Sequence, residues 1–378
     1  MVDWLRDNYH SLWILPDCLE YRVGIHHGKI PRAIAQKCIK LFNEGKIRTL
    51  ICTSTLIEGV NTKAKNVIVY DNKIAKTKFD YFTFNNICGR SGRMGAHFIG
   101  HIYLFHEPPA PELPLVDFPI FTQTDDTPEK LLINVNVEDL NESSKRKLKK
   151  YFEQDVLSQE TLKRNSYINL DKQLDLANHI RGELKKYYVL MKWGQNPTND
   201  QLKLSCKLIW DYFVSSNKRI YGVSSGKQLH FRLNQFRKAG NIKNFITEII
   251  AEEAKTSDSI NRAIELAFDI QRHWINYQFP RYLMSLGDIA NDIFRKNNLP
   301  LCDYSYFASL VECYFMAPYV IPMDEYGLPI QISNKIRNII EISPDIDEAL
   351  GQLRNFIPSQ HEFSTIEREF IEEFKAYI

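Results

Sequence analysis

Two arginines, Arg90 and Arg93, stand three residues apart in a glycine-rich segment. The segment 86–95 reads NICGRSGRMG. Glycines let the backbone turn tightly beside a ligand, and guanidinium groups match phosphate oxygens in shape and stay charged. Such a pair can offset the charge that develops on a γ-phosphoryl group during its transfer. Taken alone, the segment is equally compatible with a glycine-rich turn that carries two surface arginines.

Two further segments follow predicted strands. Thr53–Asn61, with the sequence TSTLIEGVN, begins directly after an apolar stretch that ends at Cys52, and the GIHHG segment 24–28 closes another such stretch. Open α/β sheets bind ligands outside the carboxyl ends of their strands. Hydroxyl groups, loop amides and helix N-termini at that edge can hold phosphate oxygens. Each segment by itself could also be an ordinary turn from a strand to a helix.

Short apolar runs alternate with amphipathic stretches in this part of the chain. The runs that predict strands are Arg22–His26, Ile47–Cys52, Asn66–Tyr70 and His101–Phe105. Helical spacing of apolar residues, with a proline at the start and Gly45 just past the end, predicts a helix over Pro31–Asn43. Another helix is expected near residues 80–88. This alternation predicts an α/β fold in which flanking helices cover a parallel sheet.

A proline-rich stretch marks the best boundary in the chain. Residues 107–119 contain five prolines, which cannot continue a helix or an interior strand. We therefore expect one domain over 1–106, a linker over 107–126 and a mostly α-helical region over 127–378, with two sub-bundles as one arrangement. Long amphipathic segments support the helical prediction; they are 138–154, 171–193, 199–216, 241–256, 258–278, 284–297 and 362–377.

Composition restricts the partners and the compartment. The first 110 residues carry 15 lysines and arginines against nine acidic residues, although the net charge of the whole chain is only +2. This excess permits polyanion binding without proving it. Seven scattered cysteines without a C-x-x-C pair argue against disulfides and a zinc site. No apolar run approaches the roughly 18 residues of a membrane span. These features predict a cytoplasmic protein without a metal site or membrane partner.

In this order and spacing, the three segments resemble successive signatures of superfamily-two helicases. The resemblance is to their C-terminal RecA-like domain, most closely in the Ski-type or DExH-box branch, and it covers residues 22–105. It implies that Arg90 and Arg93 reach the γ-phosphate of ATP across a cleft between two RecA-like domains. The whole chain would then be the C-terminal portion of an ATP-dependent helicase or translocase.

The resemblance also assigns binding roles residue by residue. The residues implied near the nucleotide are Gly59, Asn61, Asn86 and Gly89. The residues implied to contact the sugar–phosphate backbone are His27, Gly28, Thr53, Ser54 and Thr55. One position departs from the family pattern, because Asn86 stands where these helicases usually have glutamine. The shorter amide leaves the contribution of this position in doubt.

Two motifs that such a helicase needs do not occur in the sequence. A phosphate-binding G-x-x-x-x-G-K-[ST] loop and a magnesium-binding D-E-x-H or D-E-x-D motif are both missing. We therefore expect ATP and Mg²⁺ to be cofactors of a longer or split protein, with neither held nor hydrolysed by this chain alone. The expected partners are single-stranded DNA or RNA and the missing first RecA-like domain.

The helical region has only weak signals. The basic cluster over 143–150 is more typical of a solvated helix face than of a phosphate contact. Six aromatic residues could stack bases, but their helical spacing favours core positions; they are Trp193, Trp210, Tyr212, Phe213, Trp274 and Tyr277. The region could also bind a protein partner. A nucleic-acid-binding module without motor activity and a protein-interaction scaffold remain the alternative functions.

Overall fold

The structure is a computed structural model that describes residues 1–54, 62–74, 76–92, 99–112, 117–214, 216–254 and 256–378. The chain divides into two compact units. The first unit is built from 1–116, 246–268 and 317–378, and the second from 117–245 and 269–316.

Short strands and many helices make up the described chain. The strands are β1 Val23–His26, β2 Thr49–Cys52, β3 Asn66–Val69, β4 Lys73–Ile74, β5 Thr77–Lys78 and β6 His101–Leu104. The helices are α1 Val2–Asn8, α2 Ile14–Glu20, α3 Arg32–Asn43, α4 Tyr81–Cys88, α5 Pro119–Thr122, α6 Glu129–Leu132, α7 Glu142–Glu153, α8 Gln159–Arg164, α9 Leu170–Gly182, α10 Leu184–Met191, α11 Asn199–Leu208, α12 Gly226–Ala239, α13 Ile242–Glu253, α14 Ser257–Asp269, α15 Phe279–Lys296, α16 Ser305–Glu312, α17 Val320–Glu325, α18 Ile330–Arg337, α19 Ile346–Asn355 and α20 Thr365–Lys375. Two segments are π-helical, Ile209–Val214 and Ile270–Gln278.

The strands of the first unit pair in parallel, as the sequence predicts. β1 lies beside β2 with Val23 opposite Thr49 and His26 opposite Cys52. β3 lies beside β6 in the same manner, and β4 and β5 form a small antiparallel hairpin between them in the chain. Parallel neighbours need a long crossover connection, which α3 supplies for the first pair and α4 for the second. The predicted α/β fold followed by a mostly helical part is confirmed.

Helix α3 shows why its sequence forms this crossover. One of its faces is buried, with Ala33, Ile34, Ala35, Cys38 and Ile39 as its apolar members. The helix ends at Asn43, and Gly45 just beyond it has a φ of +72°, the left-handed conformation that glycine adopts without strain. The N–H of Lys46 donates to the Leu41 carbonyl at 2.9 Å, and that of Gly45 to the Phe42 carbonyl at 3.0 Å. These two bonds form a Schellman motif, which stops the helix before β2.

Aromatic rings join the N-terminal helices to two distant helices of the first unit. The Trp4 ring lies 5.5 Å from that of Phe370 in α20. Tyr9 and Trp13 lie 5.8 Å and 5.6 Å from Phe268 in α14. Buried aromatic pairs of this kind contribute about 1 kcal/mol each beyond their area. The rings thus hold the chain's first and last helices in one core.

A buried lysine strengthens the contact between α3 and α20. Lys37 is only 2% exposed, and its ammonium group lies 3.0 Å from Glu369 and 2.6 Å from Glu373. Lys40 lies 3.0 Å from the same Glu373. A desolvated cation is tolerated only when it is paired, so α20 provides charges that α3 requires.

The second unit is helical, in agreement with the sequence. Most of the helical segments expected for this region are present, but α12 was not predicted. The core of the second unit contains Trp193 and Trp274. The Trp193 ring is stacked on that of Tyr304 with centroids 4.1 Å apart, and Trp274 Nε1 donates to the Ile220 carbonyl at 2.9 Å. Trp210 lies 5.9 Å from Trp274. The π-helical segments carry these last two tryptophans.

The compact units do not follow the predicted boundaries along the chain. Residues 246–268 and 317–378 fall in the predicted helical region 127–378, yet they pack with the first unit. The reason is apolar burial, since Phe268 of α14 and Phe370 of α20 pack against the aromatic rings of the N-terminal helices and the turn between them. The domain boundaries that the sequence predicts, at residues 106 and 127, stay a prediction. None of the helices in the described part of the chain combines the length and apolar character that a bilayer crossing requires.

Replacing Lys37 with methionine tests the contact between α3 and α20. The Lys37→Met substitution leaves two carboxylates without their buried cation, and we expect it to lower the free energy of unfolding of the first unit by about 2 kcal/mol. Urea denaturation followed by circular dichroism and tryptophan fluorescence measures this change. Lys46→Met is the matched control, because Lys46 is 58% exposed in its pair with Glu44 and such pairs contribute less than about 1 kcal/mol. Equal effects of the two substitutions would contradict the assignment.

Candidate nucleotide and nucleic-acid site

The first two predicted segments meet at one edge of the β1–β2 pair. His27 and Gly28 follow β1, and Thr53 and Ser54 follow β2, so both segments leave the carboxyl ends of neighbouring parallel strands. The backbone N–H of Thr53 donates to the His26 carbonyl at 3.2 Å. The structure therefore brings together four of the residues that the resemblance assigns to strand contact.

The turn after β1 is held by its own hydrogen bonds. The backbone N–H of Lys29 donates to Nδ1 of His27 at 3.3 Å, and that of Ile30 to the His27 carbonyl at 3.2 Å. The Lys29 ammonium group lies 3.0 Å from Glu265 in α14. Burial lowers the pKa of the neighbouring His26, with Arg32 and His27 adding to the effect. The lowered pKa favours the neutral form of His26, so positive charge at this edge of the β1–β2 pair comes from other residues.

A carboxylate from α17 lies at the N-terminus of α3. Burial raises the pKa of Asp324 to about 7, while the backbone N–H of Ala33 and the charge of Arg32 act in the opposite direction. Arg32 also lies 3.8 Å from Glu325. Helix N-termini attract negative charge, so a phosphate at the start of α3 has to compete with Asp324. Nothing local in the sequence around Asp324 points to its position beside α3.

The arginine segment is fixed against the start of β3. Ser91 Oγ donates to the Lys65 carbonyl at 2.9 Å, and the N–H of Gly92 donates to the Ala64 carbonyl at 3.1 Å. Gly92 has a φ of +70°, and a Cβ there would lie 2.6 Å from the Gly100 nitrogen. Only glycine fits this close approach, which explains one glycine of the motif in steric terms.

The side chains of this segment differ in accessibility. Asn86 and Gly89 are exposed at the end of α4, whereas Arg90 is half-buried. This segment lies at the amino ends of β3 and β6, while the segments at 27–28 and 53–54 lie at the carboxyl ends of β1 and β2. The two groups thus occupy different ends of their strands. Thr55, Gly59, Asn61 and Arg93 lie outside the described residues.

The basic cluster 143–150 and the aromatic residues of the helical region have different surroundings in the structure. Lysines of the basic cluster pair with nearby acids; Lys150 lies 2.6 Å from Asp171 and Lys149 lies 3.6 Å from Glu153. This supports a solvated helix face. Trp193, Trp210 and Trp274 are buried, as their spacing predicts, whereas Tyr277 is 54% exposed and is not a core residue.

The titration of Asp324 gives a testable pH dependence. Its pKa in the folded chain is about 7, above the ordinary 3.8, so its protonated form favours the fold. That contribution is complete below pH 3.8 and is lost as the pH rises through about 7. The free energy of unfolding should therefore fall between pH 5 and pH 8. We expect this fall to be smaller in Asp324→Asn, because asparagine keeps an oxygen near Ala33 but does not ionise. Urea denaturation at both pH values measures it, and an unchanged dependence would show that Asp324 is not the titrating group.

The chain is similar in sequence to a known domain family and to several known proteins. Residues 6–95 match the helicase conserved C-terminal domain. Anti-bacteriophage protein B of Escherichia coli K12 is 30% identical over 364 residues, which are 94% of this chain and 50% of that protein. ATP-dependent RNA helicase DHH1 of Candida albicans is 32% identical over 81 residues, or 20% of this chain and 13% of the relative.

RQC trigger complex helicase SLH1 of Saccharomyces cerevisiae is 32% identical over 87 residues, or 21% of this chain and 4% of the relative. The chain thus spans about half the length of the bacterial relative and much less of the two yeast helicases. The aligned yeast segments are about as long as the matched domain. Together these findings support a superfamily-two helicase domain over residues 6–95.

Proposed function

We propose that this chain is the C-terminal portion of an ATP-dependent helicase or translocase of the Ski-type or DExH-box branch. The observation that carries the proposal is the meeting of the segments after β1 and β2, joined by the Thr53–His26 hydrogen bond, inside a stretch that matches a helicase domain. Parallel strands direct both segments to one edge, where their amides and hydroxyls can follow a sugar–phosphate backbone.

The strand-contacting surface would be formed by His27, Gly28, Thr53, Ser54 and Thr55. Single-stranded DNA or RNA would lie along this edge, with Lys29 close by as a positive charge. Contacts to the backbone carry no sequence information, which suits a protein that moves along a strand. Asp324 at the start of α3 would keep phosphates away from that helix and on the loops.

The nucleotide-contacting surface would include the arginine segment, which lies at the amino ends of β3 and β6. ATP with Mg²⁺ would supply the free energy for movement, held mainly by a first RecA-like domain. Arg90 and Arg93 would point their guanidinium groups at the γ-phosphate, with Gly59, Asn61, Asn86 and Gly89 around the nucleotide. Closure of the cleft around the nucleotide would then shift the strand, because the segment 53–61 carries residues of both surfaces.

We also propose a biological setting, for which the bacterial relative is the only support used. Its name describes an anti-bacteriophage protein, and its similarity extends over nearly the whole of this chain. We therefore place the proposed helicase in defence against bacteriophage. Foreign or replicating nucleic acid would be the substrate that such a role requires.

Arginine substitutions test the nucleotide surface. In the protein together with the domain that holds ATP, we expect Arg90→Ala and Arg93→Ala each to lower ATP hydrolysis by about 10³-fold, because each removes charge that stabilises the transferring phosphoryl group. Binding of a single-stranded oligonucleotide should stay within about twofold of the unchanged protein. A phosphate-release assay and fluorescence anisotropy measure the two quantities.

Arg48→Ala serves as the control, since Arg48 is exposed in the same domain but outside the motif. The chain without the ATP-holding domain should show no turnover. Robust hydrolysis by the chain alone, or by the Arg93→Ala protein, would overturn the arginine assignment.

A charge placed in the loop after β2 tests the strand surface. We expect Ser54→Glu to weaken binding of a fluorescent 20-nucleotide single strand to the chain by roughly fivefold, because a carboxylate would face the phosphates. Fluorescence anisotropy at low salt gives the dissociation constant. Thr77→Glu, on the exposed hairpin strand β5 of the same unit, adds the same charge and should change binding less than twofold. If both substitutions act equally, the edge of β1 and β2 is not the strand-contacting surface.

A further inference from the structure

Four planar side chains form a ladder on the second unit, where the π-helical segment Ile270–Gln278 joins α15. The Arg281 guanidinium carbon lies 3.4 Å from the ring centroid of Tyr167 and 5.6 Å from that of Tyr277. The ring of Tyr282 lies 6.2 Å from that of Tyr167, with an interplanar angle of 23°. Tyr167 thus lies beside both Arg281 and Tyr282, and Arg281 also lies beside Tyr277.

One ring of this group, that of Tyr277, is accessible to solvent. Tyr277 is 54% exposed, while Tyr167 and Tyr282 are half-buried and Arg281 is exposed. Three residues earlier, Trp274 is completely buried. The same helical segment thus supplies one aromatic residue to the core and presents another to solvent, where it contributes little to stability.

Hydrogen bonds fix the ladder before any ligand arrives. Arg281 Nη1 donates to the Tyr277 hydroxyl oxygen at 2.6 Å. The Tyr167 hydroxyl donates to the Arg281 carbonyl at 3.0 Å and also contacts Ser285 Oγ. Because these side chains are already ordered, a ligand that stacks on them loses little conformational entropy on binding.

The positive charge of the ladder is available. In the portion of the second unit that the structure describes, Arg281 forms no salt bridge with a carboxylate. Asp288, two turns further along α15, is paired with Arg164 at 3.4 Å. The Arg281 guanidinium therefore keeps hydrogen-bond donors and charge that suit a phosphate.

A second stacked pair continues the same side of the helix. The Tyr221 ring lies 3.7 Å from that of His273 with an interplanar angle of 15°, and Tyr221 is 40% exposed. His273, Tyr277 and Arg281 recur at four-residue intervals, which places them on one face at about one-turn spacing. Two accessible aromatic planes and a guanidinium thus follow one another along the helix.

We propose that this face of the second unit binds single-stranded nucleic acid by stacking unpaired bases on Tyr277 and Tyr221 while Arg281 contacts a phosphate. The surface is defined by Tyr167, Tyr221, His273, Tyr277, Arg281 and Tyr282 and is called the stacking face below. Accessible base faces occur only in unpaired strands, and stacking on aromatic rings accepts every base. The inference rests on the proposed nucleic-acid function but concerns a site separate from the β1–β2 edge.

The test uses the chain with fluorescein-labelled dT20 and rU20 and a 20-base-pair duplex. We expect Tyr277→Ala to weaken single-strand binding about tenfold, since stacking of one base is worth roughly 1–3 kcal/mol. Tyr277→Phe, which keeps the ring, should bind within twofold of the unchanged chain. Tyr306→Ala is the matched control, because Tyr306 in α16 of the same unit is 52% exposed and lies outside the stacking face.

Arginine variants separate charge from planarity. Arg281→Ala should weaken binding about tenfold and lower the salt dependence by about one phosphate contact, whereas Tyr277→Ala should leave that dependence unchanged. Arg281→Lys, which keeps the charge but not the planar fork, should restore the salt dependence and only part of the affinity. Circular dichroism melting establishes that each variant is folded. The duplex should bind more weakly than either single strand and be insensitive to Tyr277→Ala.

The outcomes distinguish this inference from the proposed function. If Tyr277→Ala and Arg281→Ala bind like the unchanged chain while Ser54→Glu binds more weakly, the stacking face is wrong and the proposed function stands. If the unchanged chain binds no oligonucleotide at low salt, both are overturned. Equal weakening by Tyr277→Ala and the Tyr306→Ala control would also overturn the inference, because the effect would then not belong to this face. A preference for dT20 or rU20 identifies which single strand the face favours.

Discussion

The parallel pairing of β1 with β2 is the constraint on which the candidate site depends. Parallel neighbours cannot be joined by a tight turn, so the chain must cross over through a helix before the second strand begins. α3 fills that role, and its stop at Gly45 sets where β2 starts. The same pairing carries the segments after both strands to one edge, where the Thr53–His26 hydrogen bond joins them. The proposed strand-contacting surface therefore results from the way in which β1 and β2 are connected.

The crossover helix in turn depends on distant parts of the chain. A four-residue strand pair offers little surface for the apolar side of α3, and small parallel sheets need cover on both faces. α17 and α20 contact α3, and α20 also provides the acids that pair with Lys37. Asp324 places a carboxyl group at the start of α3, and this group becomes negatively charged as the pH rises through its pKa of about 7. The segments that complete the fold thus also shape the electrostatics beside the proposed strand-contacting loops.

The sequence predicted those features whose causes lie within a few residues. β1, β2, β3 and β6 follow from short apolar runs, and α3 from apolar spacing between Pro31 and Gly45. Features with distant causes could not be predicted. Lys37 looks like any helix lysine until Glu369 and Glu373 are placed beside it, and Asp324 has no local signal that it lies near Ala33.

The tyrosine at 277 shows a different limit of sequence patterns. Helical spacing groups Tyr277 with Trp274 as core residues, but the segment is π-helical, and the wider turn changes which side chains face inward. α1 and α2 were also not predicted, because both are only seven residues long and are held by rings of α14 and α20. Short helices gain most of their stability from packing rather than from their own sequence.

The interleaving of the first unit with the second has a consequence for biosynthesis. The helix that pairs Lys37 is synthesised more than 320 residues after α3. At elongation rates of about 5–20 residues per second, the interval is on the order of tens of seconds. During that time the apolar side of α1–α3 has no permanent cover and is open to chaperones. Termination between α3 and α20 would therefore leave Lys37 without Glu369 and Glu373 and the rings of α1 without Phe370.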